Sequence, residues 1–392
     1  MKMPNVPVAF ILAALALMTP ARAITVSYRY DGAGRLTAVN YGGMSNSAFA
    51  YDKNGNLLSR SNTTNPLPPL AAMYNGLVTN ATPTAGNEGF ITLKLNADGT
   101  FTGQISVSGV SKGFAGAFNQ SGALLQPVVV NLSTALGNIT LALTLDVAGG
   151  TQQITGTITG AVNSSVTLDR ALFDKKSNPV PASLVGSFTA LFQKMPNGNS
   201  GFGIVTVGAD GSVTLAGALE DGTKIGQGTN ISGETRWPLF VPLPDGYLAG
   251  EVNFEAAPGV SDFAGTIAWV RTGNPIAQLD LIGSKYRAPA KGTRALDLAN
   301  EVDNLHVAAS GGDIVTALVQ DVTLDAKNKF VITDASRQLK LKLSAKNGLV
   351  TGSFLDGAQT IELMGVLFQE QNVGSGFSLG PTQSGRFDLT TP

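Results

Sequence analysis

Gly89-Phe90 followed by Asp98-Gly99-Thr100-Phe101 decides the fold, because the chain carries this pattern three times. The other copies are Gly201-Phe202 with Asp210-Gly211-Ser212-Val213 and Gly376-Phe377 with Ser384-Gly385-Arg386-Phe387. The two glycines of a copy are 10, 10 and 9 residues apart (89 to 99, 201 to 211, 376 to 385). This spacing is typical of a strand, a tight turn and a return strand. Its repetition predicts duplicated β units.

Alternation of apolar and polar residues predicts the same class of structure. Ile91–Leu95, Gln153–Ile158 and Leu339–Leu343 alternate with period 2, which indicates half-buried strands. The chain has 47 glycines in 392 residues and only 14% charged residues, which suits a turn-rich β protein. We therefore predict an all-β fold of antiparallel barrels or sandwiches. An outer-membrane barrel is disfavoured, because such barrels carry aromatic girdles and aromatic residues are only 7% here.

The N-terminus resembles an export signal. Lys2 precedes an uncharged apolar run from Val8 to Met18, and Ala21-Arg22-Ala23 has the small-x-small form of a cleavage site. Residues 1–23 are therefore predicted to be a signal peptide. No later segment is long and apolar enough to predict a membrane-spanning helix. The expected location is extracellular, on the cell surface or periplasmic.

Two related segments follow the signal peptide. Tyr30-Asp31-Gly32-Ala33-Gly34-Arg35-Leu36 is echoed 21 residues later by Tyr51-Asp52-Lys53-Asn54-Gly55-Asn56-Leu57. Both copies resemble the YD repeat of RHS proteins, whose pattern is Tyr-Asp, a glycine and a leucine at this period. Asp and Gly meet the backbone demands of a tight turn, so each copy is predicted to be a hairpin. The resemblance implies a surface or secretion context.

The predicted organisation follows from these segments. Thr63–Pro69 contains three prolines, which favours an extended spacer. The rest resembles repetitive β regions of secreted bacterial proteins. Because the third Gly-Phe pair lies near the C-terminus, neighbouring units are predicted to pair or share hairpins. The predicted domains are a signal peptide (1–23), YD-repeat hairpins (24–62), a proline-rich linker (63–69) and β units at 70–175, 180–283 and 284–392.

Composition excludes several functions. The formal charge is -1, and loss of Lys2 and Arg22 with the signal makes it -3, so no basic surplus indicates nucleic acid. Cysteine is absent and histidine occurs once, at His306, which disfavours the usual metal sites. We predict no metal and no cofactor.

No catalytic constellation is recognisable. His306 has no serine or aspartate at motif spacing and is interpreted as structural. The chain is therefore predicted not to be an enzyme. The alternative is a carbohydrate-active enzyme with paired carboxylates, for which the candidates are Glu220, Asp221, Glu234, Asp245, Glu251 and Asp262.

The predicted ligand site lies in the middle unit. Arg236–Leu243 is the most apolar loop-like stretch, and it holds Arg236 and Trp237. With Tyr247 and Trp269 these residues could form an aromatic platform for a sugar ring. The alternative is that both tryptophans fill the core of the unit.

The predicted function is therefore a secreted or cell-envelope binding or scaffold protein without catalytic activity. Carbohydrate is the favoured ligand class, so the expected partner is a polysaccharide or another cell-surface protein. Two alternatives remain open at this point. One is a structural or adhesive module of an RHS-like surface system, and the other is the carbohydrate-active enzyme.

Overall fold

The computed structural model describes residues 26–41, 45–148, 150–194, 199–255 and 260–392. The predicted signal peptide lies outside the described residues. The chain divides into two compact units, Met1–Asn65 and Pro66–Pro392. Among the residues described, no helix has the length and hydropathy that crossing a bilayer requires.

The described part of the first unit forms one antiparallel sheet of four strands in chain order. They are β1 (Val26–Tyr30), β2 (Leu36–Tyr41), β3 (Ser45–Tyr51) and β4 (Leu57–Thr64). The turns after β1 and β3 have the same geometry. One oxygen of Asp31 accepts the N–H groups of residues 33 and 35, and one oxygen of Asp52 accepts those of residues 54 and 56. These bonds hold the pKa of both carboxyls below the ordinary value, with the backbone N–H of Arg35 the largest cause at Asp31 and the Asn56 side chain at Asp52.

In the second unit the described residues form one 3-10 turn at Pro68–Leu70 and then twenty-four strands in three sheets of eight. The first sheet has β5 (Ala72–Thr79), β6 (Gly89–Leu95), β7 (Thr100–Val107), β8 (Val110–Ala117), β9 (Val128–Ser133), β10 (Gly137–Leu145), β11 (Gln153–Gly160) and β12 (Ser164–Ala171). The second has β13 (Gly186–Lys194), β14 (Ser200–Val207), β15 (Ser212–Ala218), β16 (Lys224–Asn230), β17 (Arg236–Leu243), β18 (Gly246–Asn253), β19 (Phe263–Arg271) and β20 (Ala277–Tyr286). The third has β21 (Leu305–Ser310), β22 (Leu318–Leu324), β23 (Phe330–Val331), β24 (Lys340–Ser344), β25 (Leu349–Asp356), β26 (Gln359–Phe368), β27 (Val373–Leu379) and β28 (Ser384–Thr390).

Each sheet curls into an eight-stranded, nearly closed antiparallel barrel, and the three are numbered barrels 1 to 3 in chain order. The predicted all-β fold of duplicated barrel units is confirmed. In every barrel the first strand pairs with the last, and neighbours in sequence are neighbours in the sheet, except at one gap: between β8 and β9, between β16 and β17, and between β23 and β24. We call that gap the seam. No strand is exchanged between barrels among the described residues, so the sharing of hairpins expected from the position of the third Gly-Phe pair is not seen.

Apolar side chains fill the interior of each barrel. Barrel 1 buries the alternating residues Ile91, Leu93 and Leu95 of β6, as the period of the sequence predicts. Phe188 and Phe263 pack in barrel 2 with ring centroids 5.8 Å apart. In barrel 3, Phe387 belongs to the same kind of core. These are packed cores, as expected for barrels of this strand number.

The stretch interpreted as loop-like, Arg236–Leu243, is in fact strand β17. Its prolines are tolerated because β17 borders the seam of barrel 2, where one row of backbone groups has no ladder partner. A side chain bridges that seam instead. The indole N–H of Trp237 donates to Gln227 Oε1 at 3.0 Å, and Gln227 Nε2 donates to the Pro238 carbonyl at 3.0 Å.

The proline-rich segment before barrel 1 is not an extended spacer throughout. Thr63 and Thr64 belong to β4, and Leu67 is buried in the barrel 1 core. Residues 295–304 form turns and irregular segments that bury Ala295, Leu296 and Leu298 before β21 begins at Leu305. The spaced apolar residues of this segment cover one end of barrel 3, and they do not form a regular helix.

Candidate functional site

The phenylalanine of each Gly-Phe pair lies between barrels and points away from its own core. Phe90 packs with barrel 2 residues, whereas Phe202 and Phe377 belong to one cluster between barrels 2 and 3. Glycine precedes each because the adjoining strand is too close for a side chain. A Cβ on Gly89 or Gly376 would lie 2.0 Å from a backbone oxygen of that strand. The repeated pattern therefore marks the surfaces by which barrels pack together.

The Asp-Gly turns behave as predicted in two copies only. Gly99 and Gly211 have φ of +86° and +77° and close tight turns. Asp210 of the second turn accepts hydrogen bonds from the side chain and the backbone of Ser212, which lowers its pKa to about 2. In the third copy, Gly385 lies inside β28, and the turn is formed by the residues just before it.

Barrels 2 and 3 meet through an apolar face. The rings of Phe202 and Phe377 are stacked, with centroids 6.1 Å apart and planes 22° apart. The hydroxyl of Thr189 donates to the Leu367 carbonyl at 2.7 Å across the contact. Because this face combines buried aromatic area with a satisfied hydrogen bond, we expect the two barrels to behave as one rigid body.

Barrels 1 and 2 meet through a contact that also contains charged groups. Phe240 and Tyr247 stack with centroids 5.5 Å apart, in a cluster that includes Phe90. The Tyr247 hydroxyl donates to Glu88 Oε2 at 2.8 Å, and the Asn80 N–H donates to Glu88 Oε1 at 3.1 Å. Burial, and then this carboxylate, raise the pKa of Tyr247 well above its ordinary value.

Arg236 forms a second polar link between these barrels. Its Nη2 lies 2.8 Å from Asp169 Oδ1 of barrel 1 and 2.9 Å from Glu234 Oε2. Gln153 Nε2 donates to the same Asp169 oxygen at 2.8 Å. The guanidinium therefore fixes the first barrel against the start of β17.

A groove follows the outer surface of barrel 2 beside these links. It consists of two adjoining cavities of about 470 Å³ and 740 Å³, and Glu251 lines both. The first cavity lies between barrels 1 and 2, and its lining includes Glu88, Asp169 and Arg236. The second lies over β18, β19 and β20, and its lining includes Glu255 and Asp280. We call the two cavities together the outer groove.

The outer groove is anionic. Glu88 and Asp169 have the partners described above, but the carboxylates of Glu251, Glu255 and Asp280 form no hydrogen bond or ion pair with another described residue. Partial burial raises the pKa of Glu251 above its ordinary value of 4.5; Arg236 opposes this shift, and Asp169 and Glu234 add to it. Carboxylates without partners beside a cleft favour a cationic group as ligand.

The predicted aromatic platform is dispersed. Trp237 and Trp269 are 0% and 2% exposed and lie inside barrel 2, with the Arg271 guanidinium 4.2 Å from the Trp269 ring centroid. Tyr247, 2% exposed, and Arg236 lie at the contact with barrel 1. Only Arg236 borders the groove, and none of the three rings offers an open face to a sugar.

The predicted carboxylates are also scattered. Of that set only Glu251 lines the outer groove, and Glu234 lies beside it on Arg236. Glu220 forms an ion pair with Lys194, and Asp262 accepts the Lys285 N–H. Sequence reasoning missed Glu88, Asp169, Glu255 and Asp280. Each lies on the outward face of a strand or at a strand end. The period-2 pattern could have predicted that outward face, but it could not predict which barrel packs against it.

His306 lies on β21 opposite Asp321 of β22, and its Nδ1 is 2.7 Å from Asp321 Oδ1. The pair is exposed and is a cross-strand contact on the outer face of barrel 3. Within the described ranges, no three His, Asp or Glu residues are grouped so that they could hold a metal ion.

Comparison with known proteins identifies no family for this chain. No protein-family model and no curated protein matches the chain. Among solved structures, the chain is similar to transferrin binding protein B from Haemophilus parasuis (11% identity, TM-score 0.20, covering 89% of this chain and 83% of that one). It is also similar to isotype 1 transferrin binding protein B from serogroup B Neisseria meningitidis (9% identity, TM-score 0.20, covering 95% and 89%). At such TM-scores these similarities carry no argument about this chain.

Proposed function

We propose that this chain is an exported binding protein without catalytic activity, and that the outer groove binds a basic segment of a partner protein. The observation that carries the proposal is the group of carboxylates without partners that line one cavity of barrel 2: Glu251 in β18, Glu255 just after β18 and Asp280 in β20. A lysine or arginine side chain would supply the missing charge.

Two further features support binding over catalysis. The barrel interiors are occupied by apolar side chains, so the open space lies between and outside the barrels. In the groove, the best-placed polar groups already hold each other: Arg236 pairs with Asp169, and Tyr247 pairs with Glu88. No nucleophile hydrogen-bonds to a general base among the described groove residues. The fixed row of barrels would present the groove as a rigid surface.

The test is binding of a fluorescein-labelled oligolysine peptide to the full chain, followed by anisotropy, with an oligoglutamine peptide of equal length as the neutral comparison. The variant replaces Glu251→Gln, Glu255→Gln and Asp280→Asn together, which keeps side-chain size and removes three charges. Exposed charge pairs contribute up to about 1 kcal/mol each, so we expect the affinity to fall about tenfold or more. Added salt should weaken the wild-type complex, because charges are screened over about 10 Å at 0.1 M.

The matched control removes three exposed carboxylates from barrel 3: Asp297→Asn, Glu301→Gln and Asp303→Asn. It makes the same change in net charge and should bind oligolysine as the wild type does. Equal losses in the two triple variants would show binding by net charge alone and would overturn the groove. Absence of any oligolysine binding would overturn the proposal outright.

Carbohydrate, the ligand class that the sequence favours, is tested on the same protein. A panel of neutral oligosaccharides should give no saturable signal, because the rings of Trp237, Trp269 and Tyr247 are buried. Saturable sugar binding that the groove variant abolishes would replace the basic peptide by a polysaccharide as the ligand of this site.

A further inference from the structure

The two hairpins of the first unit recognise each other through one arginine. Arg35, in the first turn, donates from Nη1 to the Asp52 carbonyl of the second turn at 2.9 Å. Its guanidinium also lies 5.1 Å from the ring centroid of Tyr51. Below this clamp β2 pairs with β3 in a register that places Ala38 opposite Ala48. The two hairpins therefore meet where β2, the return strand of the first hairpin, pairs with β3, the first strand of the second.

Both outer strands of this sheet have a free edge among the described residues. All five residues of β1 are exposed, and β4 is exposed from Leu57 to Asn62. Tyr28 and Tyr30 of β1 are each 58% exposed, and Leu58 of β4 is 67% exposed. Long exposed edges with large apolar side chains are templates for pairing with another strand.

We propose that the occupant of these edges is a second copy of this chain, with β4 of one copy pairing with β1 of the next. The internal β2–β3 contact provides the geometry, because β4 repeats β2 and β1 repeats β3 at an offset of 21 residues. Applying that offset to the pair Ala38–Ala48 places Ser59 opposite Ser27 of the second copy. Both serines are small and exposed, as the close antiparallel approach requires.

The junction between copies lacks the clamp. Position 56 corresponds to Arg35, and among the described residues the Asn56 side chain bonds only its own turn, through Nδ2 to Asp52 Oδ2 at 2.8 Å. The association is therefore weaker than the internal contact. Because the two edges differ, the pairing is head to tail and builds open chains of copies that do not stop at a dimer.

The first experiment restores the clamp. Asn56→Arg would place a guanidinium over Tyr30 of the next copy, as Arg35 lies over Tyr51. A cation–π contact contributes about 0.5–1 kcal/mol at an exposed site, so we expect association about two- to fivefold tighter. Sedimentation velocity of the full chain at increasing concentration measures this, and the weight-average sedimentation coefficient should keep rising past the dimer.

The second experiment blocks the junction. Ser27→Lys with Ser59→Lys places like charges opposite each other and should leave only monomers. The control, Ala33→Lys with Asn54→Lys, adds the same charge at the exposed turn tips and should associate as the wild type does. A monomer at all concentrations for both wild type and Asn56→Arg would overturn the proposal. Association that stops at a dimer, or that Asn56→Arg leaves unchanged, would indicate pairing of like edges and overturn it as well.

Discussion

The contact between barrels 2 and 3 can be measured with the chain's own fluorescence. Both tryptophans of the sequence, Trp237 and Trp269, lie in the core of barrel 2, so tryptophan emission reports the unfolding of that barrel. Phe377 belongs to barrel 3 and is 0% exposed at the contact. We predict that Phe377→Ala lowers the urea midpoint of the tryptophan transition, although the substitution lies in another barrel.

The magnitude follows from the geometry. Truncating a buried phenylalanine costs about 3–5 kcal/mol, and we expect Phe377→Ala and Phe202→Ala each to lie near the lower end because they line a contact between two barrels. The stacked pair itself contributes about 0.5–1.5 kcal/mol beyond its buried area. The double variant should therefore cost about 1 kcal/mol less than the sum of the single variants.

The control uses the other contact. Phe90 packs between barrels 1 and 2, so Phe90→Ala and Phe377→Ala should add within about 0.5 kcal/mol. The reasoning is refuted if the Phe202–Phe377 coupling is below about 0.3 kcal/mol, the ordinary error of additivity. It is also refuted if Phe377→Ala leaves the tryptophan transition in place while circular dichroism shows that the rest of the chain is destabilised.

Three further predictions use the same urea and fluorescence assay. Tyr247→Phe should cost about 1.5–3 kcal/mol, because the buried Glu88 loses a hydrogen bond to its charged group; an unchanged midpoint would contradict that bond. Gly283→Ala should destabilise barrel 2 by about 1–3 kcal/mol or more, because its Cβ would lie 2.0 Å from the Phe263 ring; wild-type stability would show that the ring moves freely. Asp210, with its pKa lowered to about 2, stabilises the fold above pH 3.8 and loses this contribution as the pH falls toward 2, so Asp210→Asn should show a smaller acid loss in that window than the wild type.

Protonation of Glu251 should weaken the proposed binding, because it removes a negative charge that attracts the lysine side chains. Its pKa is raised above 4.5, so acidification should begin to weaken oligolysine binding at a higher pH than an ordinary glutamate would. Glu251→Gln should remove that part of the pH dependence, as measured by anisotropy titrations in matched salt. A profile identical to that of the wild type would exclude Glu251 from the contact.

The strands and many turns could be predicted from the sequence because their causes are local. Ile91, Leu93 and Leu95 alternate because one face of β6 is wet, and Gly99 follows Asp98 because the turn needs a positive φ. The sequence predicts a loop-like stretch at Arg236–Leu243, where the apolar residues do not alternate with polar ones. It is nevertheless a strand, since one face lies in the barrel core and the other is partly covered by barrel 1.

The groove could not be predicted because its residues come from distant parts of the chain. Glu88 and Tyr247 are 159 positions apart, and nothing local indicates that the outer faces of their strands meet. The same limit applies to the Gly-Phe pairs. Their repetition was visible, but the place of Phe202 against Phe377 depends on how whole barrels pack. Periodicity gives the face of a residue, and only tertiary packing gives what lies opposite.

Pairing of the first strand with the last has a consequence for how such a chain can grow. In the three barrels Met73 lies opposite Ala171, Ser187 opposite Tyr286 and His306 opposite Thr390, so the chain enters and leaves each barrel at neighbouring points. A whole barrel could therefore be inserted or deleted at such a point without rethreading the others. The number of barrels in such a chain would then change by one barrel at a time, while the Gly-Phe surfaces would provide the packing contact for each added barrel.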